Sequence, residues 1–356
     1  MHVDWDWIKQ RPHHIAEHLS DIFDTTVCYP FVSKRKLLVK NKRNKASFVV
    51  FCNLPFRKKV SFINTLNKLI LRSYFSLLIR RASPDYIWIT FPDFSWYIPS
   101  WYKGSIIYDC MDDCLEFTSS PFWNNKLIEA EKNAVAISSL VIVSSQNLMQ
   151  IMRIRYQDCN PVLVRNAFGG KVLDNFNSPV KSKSVNNNSY FNIAYIGTIS
   201  SWFDFESLLY CLDLFSNIRI HLIGPIDVEV HNYSHPRMFC YGSRDHEDLP
   251  MLVDKMDCMI MPFIVNKLIL SVDPVKLYEY INYDKPIISV YYPEVEKFTP
   301  FADLYKSKIE LSEILREYIS VGCIKKKYTS KQRKEFLNSN SWGSRMKQIL
   351  CSMGNQ

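Results

Sequence analysis

The sequence predicts an α/β protein of two domains, each built on a largely parallel sheet. Three observations predict it. Short apolar runs of strand length alternate with amphipathic segments of helix length along the whole chain. Residues 178–190 break that alternation with Ser, Lys and Asn and no apolar periodicity, which marks a linker. The length of 356 residues suits two domains, at roughly 150 residues each.

In the first series the pattern predicts a helix over 6–19, with Pro12 near its first turn and Ile15, Ala16 and Leu19 on one face. Strands follow over 25–29 and 48–52, then a long basic amphipathic helix over 60–81. Strands over 86–90 and 105–109, a helix over 126–138, a strand over 140–144, a helix over 146–156 and a strand over 161–164 complete it. The second series predicts strands over 192–196, 218–223, 238–241, 258–261 and 286–290. Its helices fall near 205–215, 249–255, 274–282 and 311–320, and the tail over 330–352 is helical. A nucleotide-type α/β domain opens with a buried strand that feeds its first helix. Here only Met1-His2-Val3 precede Asp4-Trp5. The expectation is an opening strand that is missing or truncated, with Met1 an internal methionine or the true start several residues upstream.

Composition narrows the function. Hydrophobic residues at 47% and charged residues at 22% exclude a disordered chain, and nine glycines exclude collagen-like, Gly-linker and repeat architectures. Lys plus Arg is 44 against 35 Asp plus Glu, a net charge of +9. That balance favours an anionic partner: a nucleotide, a nucleic acid or an acidic membrane surface. The ten cysteines include no Cys-x-x-Cys pair, and Cys110 and Cys114 come nearest, so reduced thiols are expected rather than a disulfide or metal framework. Residues 1–7 do not read as a secretory leader. No run reaches the roughly 18 apolar residues of a membrane span. The most apolar stretch, 60–79, is interrupted by Asn64, Asn67, Lys68 and Arg72. The expectation is a soluble or membrane-peripheral protein.

The densest chemistry lies in Ser271-Val-Asp273-Pro274-Val-Lys276-Leu-Tyr-Glu279-Tyr280. Asp273 suits an N-cap and Pro274 a first helical residue. A helix starting there aims free N–H groups and its positive end at whatever lies in front, which suits a diphosphate. Lys276 adds a full charge in the first turn, and Glu279, one turn on, can accept two hydroxyl hydrogen bonds of the kind a ribose offers. A capped surface helix with Glu279 in solvent satisfies the same spacing. Gly197 follows a strand and precedes a helix, where the missing Cβ permits close backbone approach or simply a tight turn; Thr198 beside it could reach a phosphate or a sugar. Asp109, Asp112 and Asp113 cluster after a strand, where α/β sheets present ligand-binding groups. A carboxylate there can serve as a general base, or equally as a cap or an ion-pair partner. His13 and His14 stand at the start of the first helix, as bases, hydroxyl binders or surface residues. A basic stretch over 34–45, with Arg57-Lys58-Lys59, Lys68, Arg72, Arg80 and Arg81, interleaves with Phe62, Leu66, Leu69, Ile70 and Leu78. A basic amphipathic helix of this kind reads as membrane-surface contact, or as a core-packed helix with solvated charges.

Several of these stretches together resemble glycosyltransferases of the B-type fold, family 4-like, especially those of teichuronic acid and capsular polysaccharide biosynthesis. Asp273-Pro274-Val275-Lys276-Leu277-Tyr278-Glu279-Tyr280, then Asp284-Lys285-Pro286-Ile287-Ile288-Ser289, looks like their donor segment Ser-Pro-x-Lys-x-x-Glu-Tyr followed by Gly-Lys-Pro and an apolar strand. Trp5-Asp6-Trp7-Ile8-Lys9-Gln10-Arg11-Pro12, Tyr108-Asp109-Cys110-Met111-Asp112-Asp113, and Tyr195-Ile196-Gly197 followed by Trp202-Phe203-Asp204 match three further motifs in the expected order. The resemblance implies two facing Rossmann-like domains: an acceptor-side domain over 1–166 and a nucleotide-sugar domain over 167–340, with a helix over 341–356 packing back on the first. It implies Lys276 on the diphosphate and Glu279 on the ribose, with Gly197, Thr198, Pro274 and Ser271 completing the donor site. Many retaining members carry a second Glu eight residues before the ribose Glu; here that position is Ser271.

The expected activity is transfer of a hexose from a nucleotide sugar, UDP-linked, to a polyprenyl-diphosphate-linked or growing surface polysaccharide. Asp112 is the first choice of base, Asp113 the second and His14 the third; His13 and Asp109 are candidate acceptor binders. No metal is expected, because the helix start and Lys276 can neutralise the leaving diphosphate. The expected location is cytoplasmic, peripheral on the inner face of the cell membrane, with the basic first domain on anionic lipid and no nucleic-acid partner. Two competing readings are a nucleotide-sugar epimerase on the same fold and an inactive nucleotide-sugar-binding subunit.

Overall fold

The computed structural model describes residues 1–6, 8–31, 45–118, 120–173, 190–226, 233–245, 247–321 and 326–354. In chain order the elements are α1 (Arg11–Ser20), β1 (Thr26–Pro30), β2 (Ser47–Phe51), α2 (Ser61–Ala82), β3 (Tyr86–Ile89), β4 (Ser105–Cys110), α3 (Pro121–Ile137), β5 (Leu140–Val143), α4 (Gln146–Arg155) and β6 (Val162–Leu163). They continue as β7 (Phe191–Ile196), α5 (Phe205–Leu214), β8 (Ile218–Ile223), β9 (Met238–Cys240), α6 (Leu249–Asp254), β10 (Cys258–Met261), α7 (Lys267–Leu270), α8 (Val275–Asn282), β11 (Ile287–Val290), β12 (Asp303–Tyr305), α9 (Lys308–Val321), α10 (Ser330–Ser339) and α11 (Trp342–Gly354). The chain divides into two units, Met1–Asn166 with Trp342–Gln356, and Ala167–Ser341.

The second unit holds a six-stranded sheet in the order β12-β11-β10-β7-β8-β9, every neighbouring pair parallel. Its first strand in sequence, β7, is central, with β8 on one side and β10 on the other. This is the doubly wound order, and its switch point lies between β7 and β10, where ligands bind beyond the strand ends. Ile193, Ala194 and Tyr195 of β7 and all four residues of β10 are fully buried, as the near-continuous apolar runs of a sheet covered on both faces require. Asp204 caps α5 by accepting from the Ser207 N–H at 3.0 Å, and the preceding Phe203 packs on Tyr195 with ring centroids 4.8 Å apart.

The first unit carries two separate parallel sheets, β1-β2 and β3-β4-β5-β6. Among the described residues no strand joins β1 to β3. The helix predicted from Asp6 starts only at Arg11, after the extended Gln10. The helix predicted from Lys126 begins earlier, at Pro121, because Ser120 caps it and accepts from the Trp123 N–H at 3.4 Å. The tail is two helices, not one: the chain breaks at Asn340 and Ser341, and α11 joins the first unit. There Gln348 donates to the Leu163 carbonyl at 2.7 Å and Trp342 stacks on His14 at 5.2 Å. The short edge strand β12 was not anticipated, since three residues carry too little periodicity to register.

Helix α2 departs from the expected amphipathic pattern. It buries Asn64, Asn67, Leu71 and Ile79. Asn67 accepts from the Leu54 N–H at 2.8 Å and Asn64 donates to the Arg57 carbonyl at 3.2 Å, so the loop before the helix is tied down by polar side chains. Phe62 at 75%, Leu69 at 60% and Leu77 at 70% are left exposed instead. Arg72, Arg80 and Arg81 are exposed on the same helix. No described helix is long and apolar enough to cross a membrane. The linker reading over 178–190 falls, apart from Tyr190, outside the described residues, as do Trp7 and, apart from Lys45, the basic stretch over 34–45. The described cysteines form no disulfide.

Candidate active site

In the second unit the strand β7 ends at Gly197, which has φ +147°, a value L side chains rarely adopt. A methyl group there would collide with Cε and Nζ of Lys276, so the lysine stem lies directly against the glycine backbone. Gly224, after β8, has φ +144°, and a methyl group on it would strike the Gly197 carbonyl. Two glycines thus let the ends of β7 and β8 close on each other beside the switch point. The sequence reading missed Gly224; its position directly after an apolar strand was the available signal. The half-buried Thr198 lies in this turn, and its carbonyl accepts from the Tyr195 hydroxyl at 2.8 Å.

Helix α8 is fixed against β7 by Tyr280, whose hydroxyl accepts from the Ile196 N–H at 2.9 Å. That contact sets the register of Lys276 and Glu279, four and one residues earlier on the same helix. Burial lowers the Lys276 pKa below the usual lysine value, and the Glu279 carboxylate opposes that shift. The Lys276 ammonium lies 5.8 Å from the centre of the Tyr195 ring. A desolvated lysine, a carboxylate and close backbone therefore meet at one sheet end, a concentration of charge typical of ligand sites.

The start of α8 differs from expectation. Pro274, not Asp273, is the N-cap, and it has no side-chain group to cap with. Asp273 is buried and paired with Lys297, which also donates to Glu294 at 3.4 Å. This ion pair pins the loop before the helix. Ser271 is fully buried at the end of α7, its hydroxyl 3.5 Å from the Lys267 carbonyl. Its side chain is thus turned into the protein at the end of that helix. Asp284 stands where the resembling motif has Gly, and its φ of +54° explains why Gly suits the position. Here Lys326 at 2.7 Å and the Tyr328 hydroxyl at 3.1 Å hold the Asp carboxylate instead.

In the first unit the Asp cluster separates by environment. Asp109, at the end of β4, is wholly buried and grips Arg11, with Nε at 3.0 and 3.1 Å and Nη2 at 2.8 Å. Arg11 also donates to the Val164 carbonyl at 2.7 Å, joining α1, β4 and the end of β6. Asp109 therefore cannot meet an acceptor, and its partner Arg11 was read only as part of a motif. Asp113 is 2% exposed and held by both Arg155 nitrogens at 2.6 and 2.8 Å. Both carboxylate oxygens of Asp113, the second choice of base, are thus engaged by Arg155. His13 is fully buried: it accepts from the Gln10 N–H at 3.1 Å and its Nε2 faces the Asp4 carbonyl at 3.2 Å. Burial lowers its pKa, and the neutral ring pins the loop before α1 rather than binding acceptor. His14 is half-buried against Trp342.

Asp112 remains. It is partly exposed on the loop after β4, and its pKa is raised to about 6. Burial is the main cause, the Arg11 guanidinium opposes it, and the charges of Asp109 and Asp113 add to it. A carboxylate poised near 6 is suited to take a proton near neutral pH.

Comparison with known proteins follows the geometry. No protein-family profile matches, and no curated protein sequence matches. Solved structures do. HepE of Anabaena, in complex with UDP and glucose, matches at TM-score 0.63 and 14% identity, over 88% of this chain and 87% of its own. Sucrose-phosphate synthase from Thermosynechococcus elongatus matches at 0.71 and 12%, over 97% and 92%. TarM matches at 0.59 and 11%, over 80% of this chain and 57% of its own. The fold is that of B-type glycosyltransferases. The second unit is a doubly wound domain, and among the described residues the first carries no strand between β1 and β3.

Proposed function

We propose that the chain is a glycosyltransferase that takes a UDP-linked sugar at the Gly197–Lys276–Glu279 site and passes the sugar to a lipid-linked or growing surface polysaccharide. The observation that carries this reading is the Lys276 side chain lying against the Gly197 turn at the switch point, with Glu279 one turn on. A diphosphate beside the α8 start meets the helix dipole and an ammonium, and a ribose meets a carboxylate. HepE, bound to UDP and glucose, supports this choice of donor. In an inverting transfer the acceptor oxygen bonds to the sugar C1 as the bond from C1 to the diphosphate oxygen breaks. The acceptor proton passes to Asp112, and Lys276 with the α8 start neutralises the departing UDP, so no metal is required. The test is a panel of nucleotide sugars with and without polyprenyl-diphosphate-linked acceptor. Acceptor-dependent UDP release is expected. Release without acceptor, or binding without turnover, would favour the epimerase or the inactive subunit instead.

The acceptor chemistry places the enzyme at the inner face of the membrane, on anionic lipid. The exposed apolar residues Phe62, Leu69 and Leu77 of α2, flanked by exposed arginines, support that reading. Binding to vesicles rich in anionic lipid is expected, falling as salt rises because exposed charges are screened. Changing Lys34, Arg35, Lys42 and Arg43 to Glu should abolish it. Equal binding to neutral vesicles in a sedimentation assay would count against the idea.

A further inference from the structure

Three connections of the first unit meet in a cluster of cations and indole rings. Each follows the C-terminal end of a parallel strand, where α/β sheets present ligand-binding groups. Arg57 and Lys58 stand in the loop after β2, Asp93 and Trp96 in the turn after β3, and Trp123 in the first turn of α3, the helix that follows β4. Arg57 is tied to the buried Asp93 at 2.6 Å, and Asp93 also accepts from the Tyr97 hydroxyl at 3.2 Å. The Arg57 guanidinium lies 5.2 Å from the centre of the Trp123 ring, and the Lys58 ammonium 5.7 Å from the same ring centre. From α2, the Lys68 ammonium lies 4.0 Å from the centre of the Trp96 ring.

The charges there do not cancel. Asp93 is taken by Arg57, and Glu129 by Lys126 at 3.0 Å. Among the described residues, Lys58 and Lys68 have no carboxylate within ion-pair distance. Loss of water lowers the pKa of both below the usual lysine value, and Arg57 adds to the shift in each. Asp93 opposes it in each, so the two ammoniums share the neighbourhood of one carboxylate that is already engaged. Trp96 adds a donor: its indole N–H is buried and has no hydrogen-bond partner among the described residues. Like charges brought together and partly stripped of water are costly unless an anion joins them. Resting a lysine on an indole face offsets only part of that cost.

We infer that Lys58 and Lys68 hold a diphosphate, and that its source is the lipid-linked acceptor of the reaction proposed above, on which this assignment of the source rests. Two separate ammoniums, each on its own ring, match two phosphoryl groups rather than a single carboxylate. Lysine suits such a ligand as a point charge with three rotatable donors. Asp93 and Asp112 follow the adjacent parallel strands β3 and β4, so the anchor and the proposed base stand at one end of that sheet. The site is discrete, unlike the scattered charge of the exposed Arg72 and Arg81 on α2.

The probe is geranyl diphosphate, a short prenyl diphosphate, titrated by calorimetry into the full chain. Lys58→Met and Lys68→Met keep the stems on the rings and remove the charges. Each should weaken binding by about 10-fold or more, and the double variant by about 100-fold or more. The double change to Arg, which keeps the charges, should recover most of the lost affinity. Geranyl monophosphate should bind about 10-fold more weakly than the diphosphate or worse. Lys276→Ala should leave the affinity unchanged, which separates this site from the donor site, and so should Arg72→Met with Arg81→Met. Unchanged affinity in the double Met variant would overturn the inference, and so would an equal loss in the Arg72 and Arg81 control or in Lys276→Ala. Equal affinity for the two probes would assign the cluster to a lipid headgroup monophosphate instead. In the unaltered chain the diphosphate should also protect Lys58 and Lys68, and not the neighbouring Lys59, from acetylation read by mass spectrometry. Absence of that protection counts against the site whatever the variants do. A chain that binds the probe in this way but transfers no sugar would refute the proposed activity and leave the diphosphate site standing, and transfer without such binding would do the reverse.

Discussion

Asp112→Asn is expected to lower the transfer rate by about 10²–10⁴-fold while leaving UDP affinity unchanged. The substitution keeps size and hydrogen-bonding capacity and removes only basicity. Its neighbours Asp109 and Asp113 are already committed to Arg11 and Arg155, so no adjacent carboxylate can replace it. The pH profile adds a second readout. A base works deprotonated, so kcat/KM of the unaltered enzyme should fall as pH drops through about 6, the value to which Asp112 is raised. Stability should move the other way. The folded pKa lies above the unfolded value of 3.8, so the folded state holds the extra proton between these values. Stability therefore falls as pH rises from about 4 to 6, by up to about 3 kcal/mol, and stays lower above that. Asp112→Asn should recover part of this loss and melt higher at pH 7.5. Near-normal turnover in the variant would remove Asp112 as the base and leave His14. Retained anomeric configuration in the product would remove the need for such a base.

Lys276→Ala is expected to weaken UDP binding by roughly 10- to 150-fold, the equivalent of about 1.5–3 kcal/mol for a charge-assisted phosphate contact. Glu279→Gln should weaken it through the ribose. The two effects should be separable with UMP and UDP in calorimetry. Loss of the lysine removes most of the gain from the second phosphate, whereas loss of the carboxylate costs both ligands alike. Lys276→Ala should leave the fold intact, because it adds no atoms beside the Gly197 turn that the lysine stem covers. Unchanged affinity in both variants would dismiss the donor site.

Much of this was legible in the order of residues. Strand and helix alternation is a local property, written in apolar runs and caps, so the α/β class and most element positions followed from it. The Asp273–Tyr280 segment was legible as chemistry because a lysine and a glutamate one turn apart share a helix face whatever the surroundings. Sequence did not reveal which of several equal-looking polar residues are exposed. Asp109, Asp112 and Asp113 are adjacent and of one type, yet Arg11, 98 positions before Asp109, and Arg155, 42 after Asp113, claim two of them. His13 and His14 differ in the same way, one sealed under the Asp4 loop and the other against Trp342 from the far end of the chain. The inverted face of α2 depended on the loop that Asn64 and Asn67 secure. The sequence by itself determined the alternation, the caps and the residue types at each strand end. Only the tertiary structure decided which charges are spent on one another, as Asp109 is on Arg11 and Asp113 on Arg155, because burial and ion pairing depend on partners far apart in the chain.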